Sequence, residues 1–168
     1  AGVSGGGFVP IWELPQNDWD WVYGVNFWGV LHGLRVFVPI MLAQDDECHI
    51  VNTASLAGLI PGFGIYGATK TGVVNISETL IDQLTAAESK IGVSVLCPGF
   101  VRTAIMSSSR NRPGDFEFKN ARTIEDLPEE IRAAVEVWNS RIDNGKNPLE
   151  VGSIVLDAIK QNRFYVLT

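Results

Sequence analysis

The order of two β-strands and the helix between them decides the fold. CHIVNT at residues 48–53 and GVSVLC at residues 92–97 are short apolar runs of the kind that form buried strands. Between them, IYGATKTGVVNISETLIDQLTAAES at residues 65–89 predicts a helix that begins after a break rich in Pro and Gly. Strands joined through a helix pair in parallel by a right-handed crossover. The sequence therefore predicts an α/β fold with a parallel sheet.

The flanking sequence continues this alternation in both directions. Upstream, residues 14–43 predict a long helix that is apolar on nearly all sides, with a bend near Asn26. Downstream, residues 103–128 predict a polar loop with helical fragments. The rest of the chain predicts two helices and a final strand, at residues 128–142, 149–161 and 163–168.

Composition and charge restrict the class of protein. The chain has 168 residues, of which 46% are hydrophobic and 19% charged, an ordinary balance for one globular domain. Its net charge of −6 gives no electrostatic basis for binding nucleic acid or an anionic membrane surface. Two Cys and two His without ligand spacing indicate a reduced, cytoplasmic protein with no metal site. The apolar stretches are interrupted well short of ~20 residues, so we expect no membrane span.

Tyr66 and Lys70 form the pair that most suggests chemistry. Residues four apart on a helix lie on one face, and a Lys ammonium beside a phenol lowers the tyrosine pKa. The positive N-terminal end of the helix acts in the same direction. The pair predicts a tyrosine that works as a general acid or base, although a surface Tyr with an unrelated Lys has the same spacing. Gly67 and Ala68 would leave room for a flat ligand.

Two further polar side chains fall where such a ligand would bind. Ser55 follows the first strand, and open parallel sheets bind ligands at the carboxyl edge of their strands. Its hydroxyl either orients a substrate oxygen or begins a turn, and Thr53 is a rival hydroxyl on the same face. Asn26 is an amide inside an apolar helix, and a buried amide needs partners. It either holds a water linked to Lys70 or stabilises a bend.

The segment CPGFVRT, residues 97–103, follows the second strand at the same edge of the sheet. Pro98 and Gly99 permit close approach of the backbone to a ligand, and Thr103 adds a hydroxyl. A plain turn from strand to loop has the same composition, so this segment has meaning mainly in combination with the others.

In this order the motifs resemble those of the short-chain dehydrogenase/reductase family, in its compact branch, over nearly the whole chain. AG at residues 1–2 is similar to the end of the family's NNAG segment, and VNFWGVLHGLRVFVP at 25–39 to its helix with the active-site Asn. HIVNTASLAGL at 49–59 resembles its N-x-x-S strand, YGATK at 66–70 its Y-x-x-x-K helix, and CPGFVRT its P-G-x-V-x-T turn. The resemblance implies a Rossmann-like, doubly wound parallel sheet.

The resemblance also implies a role for each matching residue. Tyr66 would be the general acid/base, and Lys70 would bind the nicotinamide ribose hydroxyls and lower the Tyr66 pKa. Ser55 would orient the substrate oxygen, and Asn26 would anchor a water in a proton relay. The other contacts to the nicotinamide end of NAD or NADP would come from the turn after the second strand, at Pro98, Gly99, Val101 and Thr103.

Two departures from the family pattern bear on this interpretation. Ser55 and Tyr66 are slightly closer in sequence than is usual in the family, which leaves Thr53 as the alternative hydroxyl. No G-x-x-x-G-x-G phosphate loop follows a strand here, and the glycines at residues 5–7 predict a mobile loop. Because each βαβ unit takes ~30 residues, we expect the chain to be the C-terminal portion of one Rossmann-like domain, cut at both ends.

The sequence thus predicts an NAD(P)-dependent oxidoreductase that transfers hydride between the cofactor and a small alcohol or carbonyl compound. The alternative is a non-catalytic fragment or self-associating domain, because the phosphate loop is missing. A sugar-nucleotide epimerase of the extended branch shares Y-x-x-x-K, but the PGFVRT turn disfavours it. The family implies a homodimer or homotetramer for the intact protein, paired through helices 15–43 and 65–89. An apolar lid or simple packing is predicted for Phe116, Phe118 and Trp138.

Overall fold

The computed structural model describes residues 2–5, 9–116 and 128–168, which form helices and strands in the predicted order. Predictions that concern Ala1, Gly6, Gly7 and Phe118 lie outside the described residues. In chain order the elements are α1 (Gln16–Tyr23), α2 (Gly29–Gln44), β1 (Cys48–Thr53), α3 (Gly64–Ala86), β2 (Ile91–Cys97), α4 (Glu129–Asp143), α5 (Pro148–Lys160) and β3 (Tyr165–Leu167).

The strands form one parallel sheet in the order β1-β2-β3. In its register Thr53 lies opposite Leu96, and Val95 lies opposite Tyr165. The central strand β2 is buried along almost its whole length, and Val93 is fully buried, as expected for a parallel strand covered on both faces. The predicted α/β fold with a parallel sheet is confirmed.

Helices cover both faces of the sheet, which is the doubly wound arrangement. On one face α3 packs Val73 against Val95, and on the other α5 packs Ala158 against Leu96. Each fully buried valine or leucine of this kind contributes roughly 1.5–3 kcal/mol relative to an exposed position. The apolar periodicity of the two helices therefore fixes which faces turn towards the sheet, and it leaves the carboxyl ends of β1 and β2 at one edge.

The bend predicted near Asn26 is a turn of π-helix, Gly24–Trp28, which joins α1 to α2 without ending the helical run. A π turn inserts one extra residue into the helix and changes which side chains point inward. Asn26 is only 1% exposed, whereas Trp28 is 46% exposed. The irregularity thus places an amide in the interior of a largely apolar helix.

The helical run from residue 16 to 44 is long and apolar enough, by length and composition alone, to cross a membrane. This differs from the expectation that the apolar stretches are too short, because neither the glycines nor Pro39 interrupts the helix. The same criterion is met by core helices of water-soluble proteins. None of the residues of α2 is fully buried within the described part of the chain, and Val36, Phe37 and Ile40 are at least half exposed.

The predicted loop at residues 103–128 contains two short 3₁₀ turns in its described part, Ile105–Asn111 and Gly114–Phe116. Phe116 packs against the cluster that contains Trp21 and Ile65, which supports packing rather than a free lid at this position. The helical fragments that the sequence suggested are therefore present as 3₁₀ turns.

Candidate active site

The chain segments that follow β1 and β2 lie side by side at the carboxyl edge of the sheet. The Ala54 N–H donates to the Leu96 carbonyl at 2.8 Å, and the Leu56 N–H donates to the Pro98 carbonyl at 3.0 Å. The parallel ladder thus continues for two hydrogen bonds beyond the end of β1, as far as Leu56. This extension brings Ser55 directly beside the turn that begins at Pro98.

Ser55 is 9% exposed and begins the 3₁₀ turn Leu56–Gly58. Its Oγ accepts a hydrogen bond from the Ala57 N–H at 3.1 Å and lies 3.5 Å from the Pro98 carbonyl oxygen. Both interpretations of Ser55 therefore fit the geometry, because a residue that caps the turn also presents its hydroxyl at the ligand edge. The rival, Thr53, is exposed.

The start of α3 packs closely on this turn through two glycines. A Cβ at Gly58 would lie 2.7 Å from the backbone carbonyl of Lys70, and a Cβ at Gly67 would lie 3.2 Å from the Ala57 carbonyl oxygen. Of the two residues expected to leave room for a flat ligand, Gly67 is buried and Ala68 is exposed. The lack of a side chain at Gly67 lets the helix and the turn approach each other.

Lys70 is only 3% exposed, an unusual position for an ammonium group. Its Nζ donates to the Thr53 carbonyl at 3.0 Å and lies 5.7 Å from the centre of the Tyr66 ring. Burial lowers the pKa of Lys70 to about 8, with the nearby Cys97 acting weakly in the opposite direction. At neutral pH the Lys70 side chain is therefore still mostly an ammonium, but burial makes this charged form less favourable than it is in water.

The pKa of Tyr66 is raised above its ordinary value by burial, while hydrogen bonding to the Ser55 hydroxyl opposes the rise. The direction is opposite to the one expected from the Lys70 ammonium and the helix N-terminus. The reason is burial, which disfavours the charged phenolate. The Lys70 ammonium lies over the ring face and donates to the Thr53 carbonyl. Lys70 and Ser55 nevertheless converge on Tyr66 from two different elements.

Asn26 is bound on three sides. Its Oδ1 accepts from the Val3 N–H at 2.8 Å, and its Nδ2 donates to the Val3 carbonyl at 2.9 Å and to Thr69 Oγ1 at 3.2 Å. The side chain therefore satisfies the backbone of the N-terminal segment, in agreement with the structural alternative. A Cβ at Gly2 would lie 3.7 Å from both Asn26 Oδ1 and Lys70 Nζ, so the amide and the ammonium face a common space.

Thr69 is a site residue that the motifs did not identify. It is fully buried, and its hydroxyl donates to the Tyr66 carbonyl at 2.7 Å while accepting from the Asn26 amide. The sequence offered one indication of Thr69, because it is a β-branched polar residue immediately before Lys70. Thr69 thereby connects the π turn to the helix that carries the Tyr–Lys pair.

The turn after β2 brings backbone groups, more than side chains, to the carboxyl edge of the sheet. Gly99 donates its N–H to the Thr168 carbonyl at 3.3 Å, and a Cβ there would meet that oxygen at 3.2 Å. Val101 forms an isolated parallel bridge with Lys146 and packs on the α5 side of the sheet, whereas Thr103 is exposed. The structure therefore brings Pro98 and Gly99 next to Ser55 and leaves Thr103 exposed to solvent.

No cluster of three or more His, Cys, Asp or Glu that could hold a metal occurs among the described residues. His49 Nε2 lies 2.8 Å from Ser94 Oγ, whose proton goes to the Arg163 carbonyl at 2.7 Å. Ser94 must then accept from His49, so this histidine carries its proton on Nε2 and has a structural partner. Burial lowers the pKa of His49.

The sequence and the fold both match those of known proteins. Residues 1–114 match the family profile described as short chain dehydrogenase. This chain belongs to the short-chain dehydrogenase family. A short-chain dehydrogenase/reductase from Burkholderia phymatum, solved in complex with NAD, is 44% identical with a TM-score of 0.88, covering 99% of this chain and 58% of its own.

Two curated relatives lead to the same family. The CLA biosynthesis dehydrogenase/reductase of Lactiplantibacillus plantarum is 32% identical over 94% of this chain and 55% of its own length. The C alpha-dehydrogenase of a Sphingobium species is 31% identical over 99% of this chain and 52% of its own length. This short-chain dehydrogenase chain thus spans about half the length of the curated relatives that it matches.

Three aromatic rings lie next to the carboxyl edge of the sheet in this short-chain dehydrogenase. The Trp138 ring of α4 packs edge-on against Phe63 at 5.5 Å and tilted against Phe100 at 5.3 Å between ring centres. Phe63 immediately precedes α3, and Phe100 follows the Pro98-Gly99 turn. The sequence-based interpretation of Trp138 as packing is therefore supported by its contacts.

Proposed function

We propose that this chain carries the catalytic residues of an NAD- or NADP-dependent oxidoreductase that interconverts an alcohol and a carbonyl compound. The observation that supports this most directly is the convergence of Ser55 and a buried Lys70 on Tyr66 at the carboxyl edge of a parallel sheet. A lysine that is 3% exposed is costly to maintain, and perturbed groups of this kind concentrate at functional sites. The NAD bound by the Burkholderia phymatum relative supports a nicotinamide cofactor.

The residues at the edge fit such a cofactor. An ammonium has three donors, and Lys70 uses one on the Thr53 carbonyl, which leaves others for the ribose hydroxyls. The backbone at Pro98 and Gly99 and the exposed hydroxyl of Thr103 would hold the nicotinamide end, with Val101 setting the path of the turn. When bound, the nicotinamide supplies or accepts the hydride.

The chain's own residues would manage the proton and the orientation of the substrate. Tyr66 would donate a proton to the carbonyl oxygen in reduction and accept it in oxidation. The Ser55 hydroxyl would hydrogen-bond the same oxygen and hold it beside the phenol. Lys70 would favour the phenolate once its ammonium faces the ribose, offsetting the burial that raises the Tyr66 pKa. Asn26 would preserve the space at Gly2 through which a water could reach Lys70.

We test this with Tyr66→Phe in the full-length protein, using Tyr165→Phe as the matched control because the Tyr165 hydroxyl binds Glu78 on the surface. Turnover of NADH or NADPH with a panel of ketones should fall by about 10²–10⁴-fold in Tyr66→Phe and stay unchanged in the control. Fluorescence titration should show that both variants still bind the cofactor. Full turnover by Tyr66→Phe would refute the assignment.

The alternative of a self-associating domain is favoured by the exposed apolar face of α2, at Val36, Phe37 and Ile40. Among the described strands β1 pairs only with β2, so its other edge is also open.

We propose that the intact protein is a homodimer or homotetramer that covers part of the exposed apolar face of α2. Light scattering should give a dimer or tetramer for the wild type and a smaller species for Phe37→Glu, and a wild-type monomer contradicts the proposal.

A further inference from the structure

The 105–116 segment, which contains the two 3₁₀ turns after Thr103, makes two sets of polar contacts with other parts of the chain, in addition to the packing of Phe116. One is a buried ion pair to α1, and the other is a set of serine hydrogen bonds to the N-terminal segment. Neither attachment is part of the motifs that indicate the function.

The ion pair joins Arg112 to Asp18 in the first turn of α1. Both side chains are only 4% exposed, and the Arg112 guanidinium also stacks over the Trp21 ring at 4.8 Å. Arg112 further donates to the Phe116 carbonyl, which closes the second 3₁₀ turn upon itself. A single arginine thus connects the end of the segment to α1.

The second attachment involves Ser4 and Ser108. The Ser4 N–H donates to Ser108 Oγ at 2.9 Å, and the Ser4 hydroxyl donates to the Ile105 carbonyl at 3.0 Å. Ser4 follows Val3, whose backbone is held by Asn26. The beginning of the 105–116 segment is therefore fixed to the same piece of chain that borders Lys70.

The buried ion pair fixes geometry more than it adds stability. Removing two charges from water costs about as much as their attraction returns, so a buried pair is seldom more stable than apolar residues of the same size. By contrast, the exposed pair between Lys90 and Asp45 carries little desolvation cost. A buried, stacked and hydrogen-bonded arginine at Arg112 is better explained by the single position that it imposes on the segment.

We propose that Asp18, Arg112 and the Ser4–Ser108 contact are positioning groups that hold the 105–116 segment, and with it Thr103, against the cofactor edge. Their consequence is tighter binding of the nicotinamide cofactor. This inference rests on the proposed function, because Thr103 matters only if a cofactor binds beside it.

The first test measures the segment without reference to activity. Trypsin cleaves after exposed Arg110, whereas Arg112 precedes Pro113 and is a poor site. In the full-length protein, Asp18→Asn should increase cleavage after Arg110 at least tenfold. The matched control Asp45→Asn, which breaks an exposed pair, should cleave at the wild-type rate. Equal cleavage of Asp18→Asn and wild type would overturn the proposal.

The second test measures the cofactor. The Kd for NADH, from fluorescence titration, should rise about tenfold in Asp18→Asn, while the pH at which Tyr66 titrates in turnover stays constant. Ser108→Ala, which buries no charge, should raise both cleavage and Kd, and it decides the matter if Asp18→Asn does not fold. Faster cleavage with an unchanged Kd overturns the proposal. A wild type that binds neither NADH nor NADPH overturns the proposed function, and the cleavage comparison still shows whether the pair holds the segment.

Discussion

Replacing Lys70 with Met should make the protein more stable while abolishing its proposed activity. Burial lowers the pKa of Lys70 from 10.5 to about 8, which corresponds to about 3 kcal/mol of unfavourable free energy for the ammonium at neutral pH. Methionine fills a similar volume without charge and loses the hydrogen bond to the Thr53 carbonyl, at a cost of about 1 kcal/mol. The free energy of unfolding should therefore rise by about 2 kcal/mol.

The pH dependence provides a sharper signature of the same effect. Between pH 8 and 10.5 the unfolded chain binds a proton on Lys70 that the folded chain has released, so the stability of the wild type rises with pH. The expected gain between pH 7 and 9 is about 1 kcal/mol, and it falls away as pH drops through 8. Burial raises the Cys97 pKa, which acts in the opposite direction, and the Lys70 ammonium opposes that rise in the wild type only. Its loss in Lys70→Met therefore widens the difference in pH dependence between the two proteins.

Urea unfolding at pH 7 and pH 9 measures both quantities, with equal m-values required for a valid comparison. The control is Lys90→Met, because the Lys90 side chain is 52% exposed and should give no stabilisation. If the free energy of unfolding depends on pH in the same way in the wild type and in Lys70→Met, burial does not destabilise the ammonium. That result would remove the main support for Lys70 as a perturbed functional group.

Two further predictions concern packing and hydrogen bonding. Asn26→Ala should lower the free energy of unfolding by about 2–4 kcal/mol, since it leaves both backbone groups of Val3 unpaired in the interior, and thermal unfolding checks this. Gly58→Ala should cost at least about 2 kcal/mol, because its Cβ would lie 2.7 Å from the Lys70 backbone, whereas Gly152→Ala in open space on α5 should stabilise by about 0.5–1 kcal/mol. Comparable values for the two glycine variants would contradict the close approach at Gly58.

The fold could be predicted from the sequence because its signals are local. β1 has the predicted bounds, residues 48–53, and β2 begins one residue earlier than expected. α3 ends at Ala86 rather than residue 89, since Glu88 adopts a left-handed conformation that no helix continues. Strand and helix periodicities survive in the sequence, whereas the last turn of a helix depends on its surroundings.

The sequence predicted which residues form the candidate site, but it did not predict their surroundings. Ser55, Tyr66 and Lys70 converge as expected, yet the direction of the Tyr66 pKa depends on burial, which a motif does not encode. Thr69 was missed because its bonds to Asn26 and Tyr66 come from the tertiary arrangement. The roles given to these residues remain predictions.

The pairing of Arg112 with Asp18 illustrates the same limit. The two residues lie far apart in sequence, and each is of a charged type that usually lies on the surface. Only the packing of the 105–116 segment on α1 reveals that both charges are buried. Contacts of this kind depend on the whole fold and have no local signature.

The backbone hydrogen bonds between the segments after β1 and β2 also affect how such a protein can diversify. Because the Leu56 N–H is bound to the Pro98 carbonyl, the backbone beside Ser55 is tied directly to the turn after β2. Under the proposed function, new substrate preferences would arise through mutations in peripheral elements such as α4, where Trp138 lies. Reaction chemistry and substrate choice could in this way evolve independently within one chain.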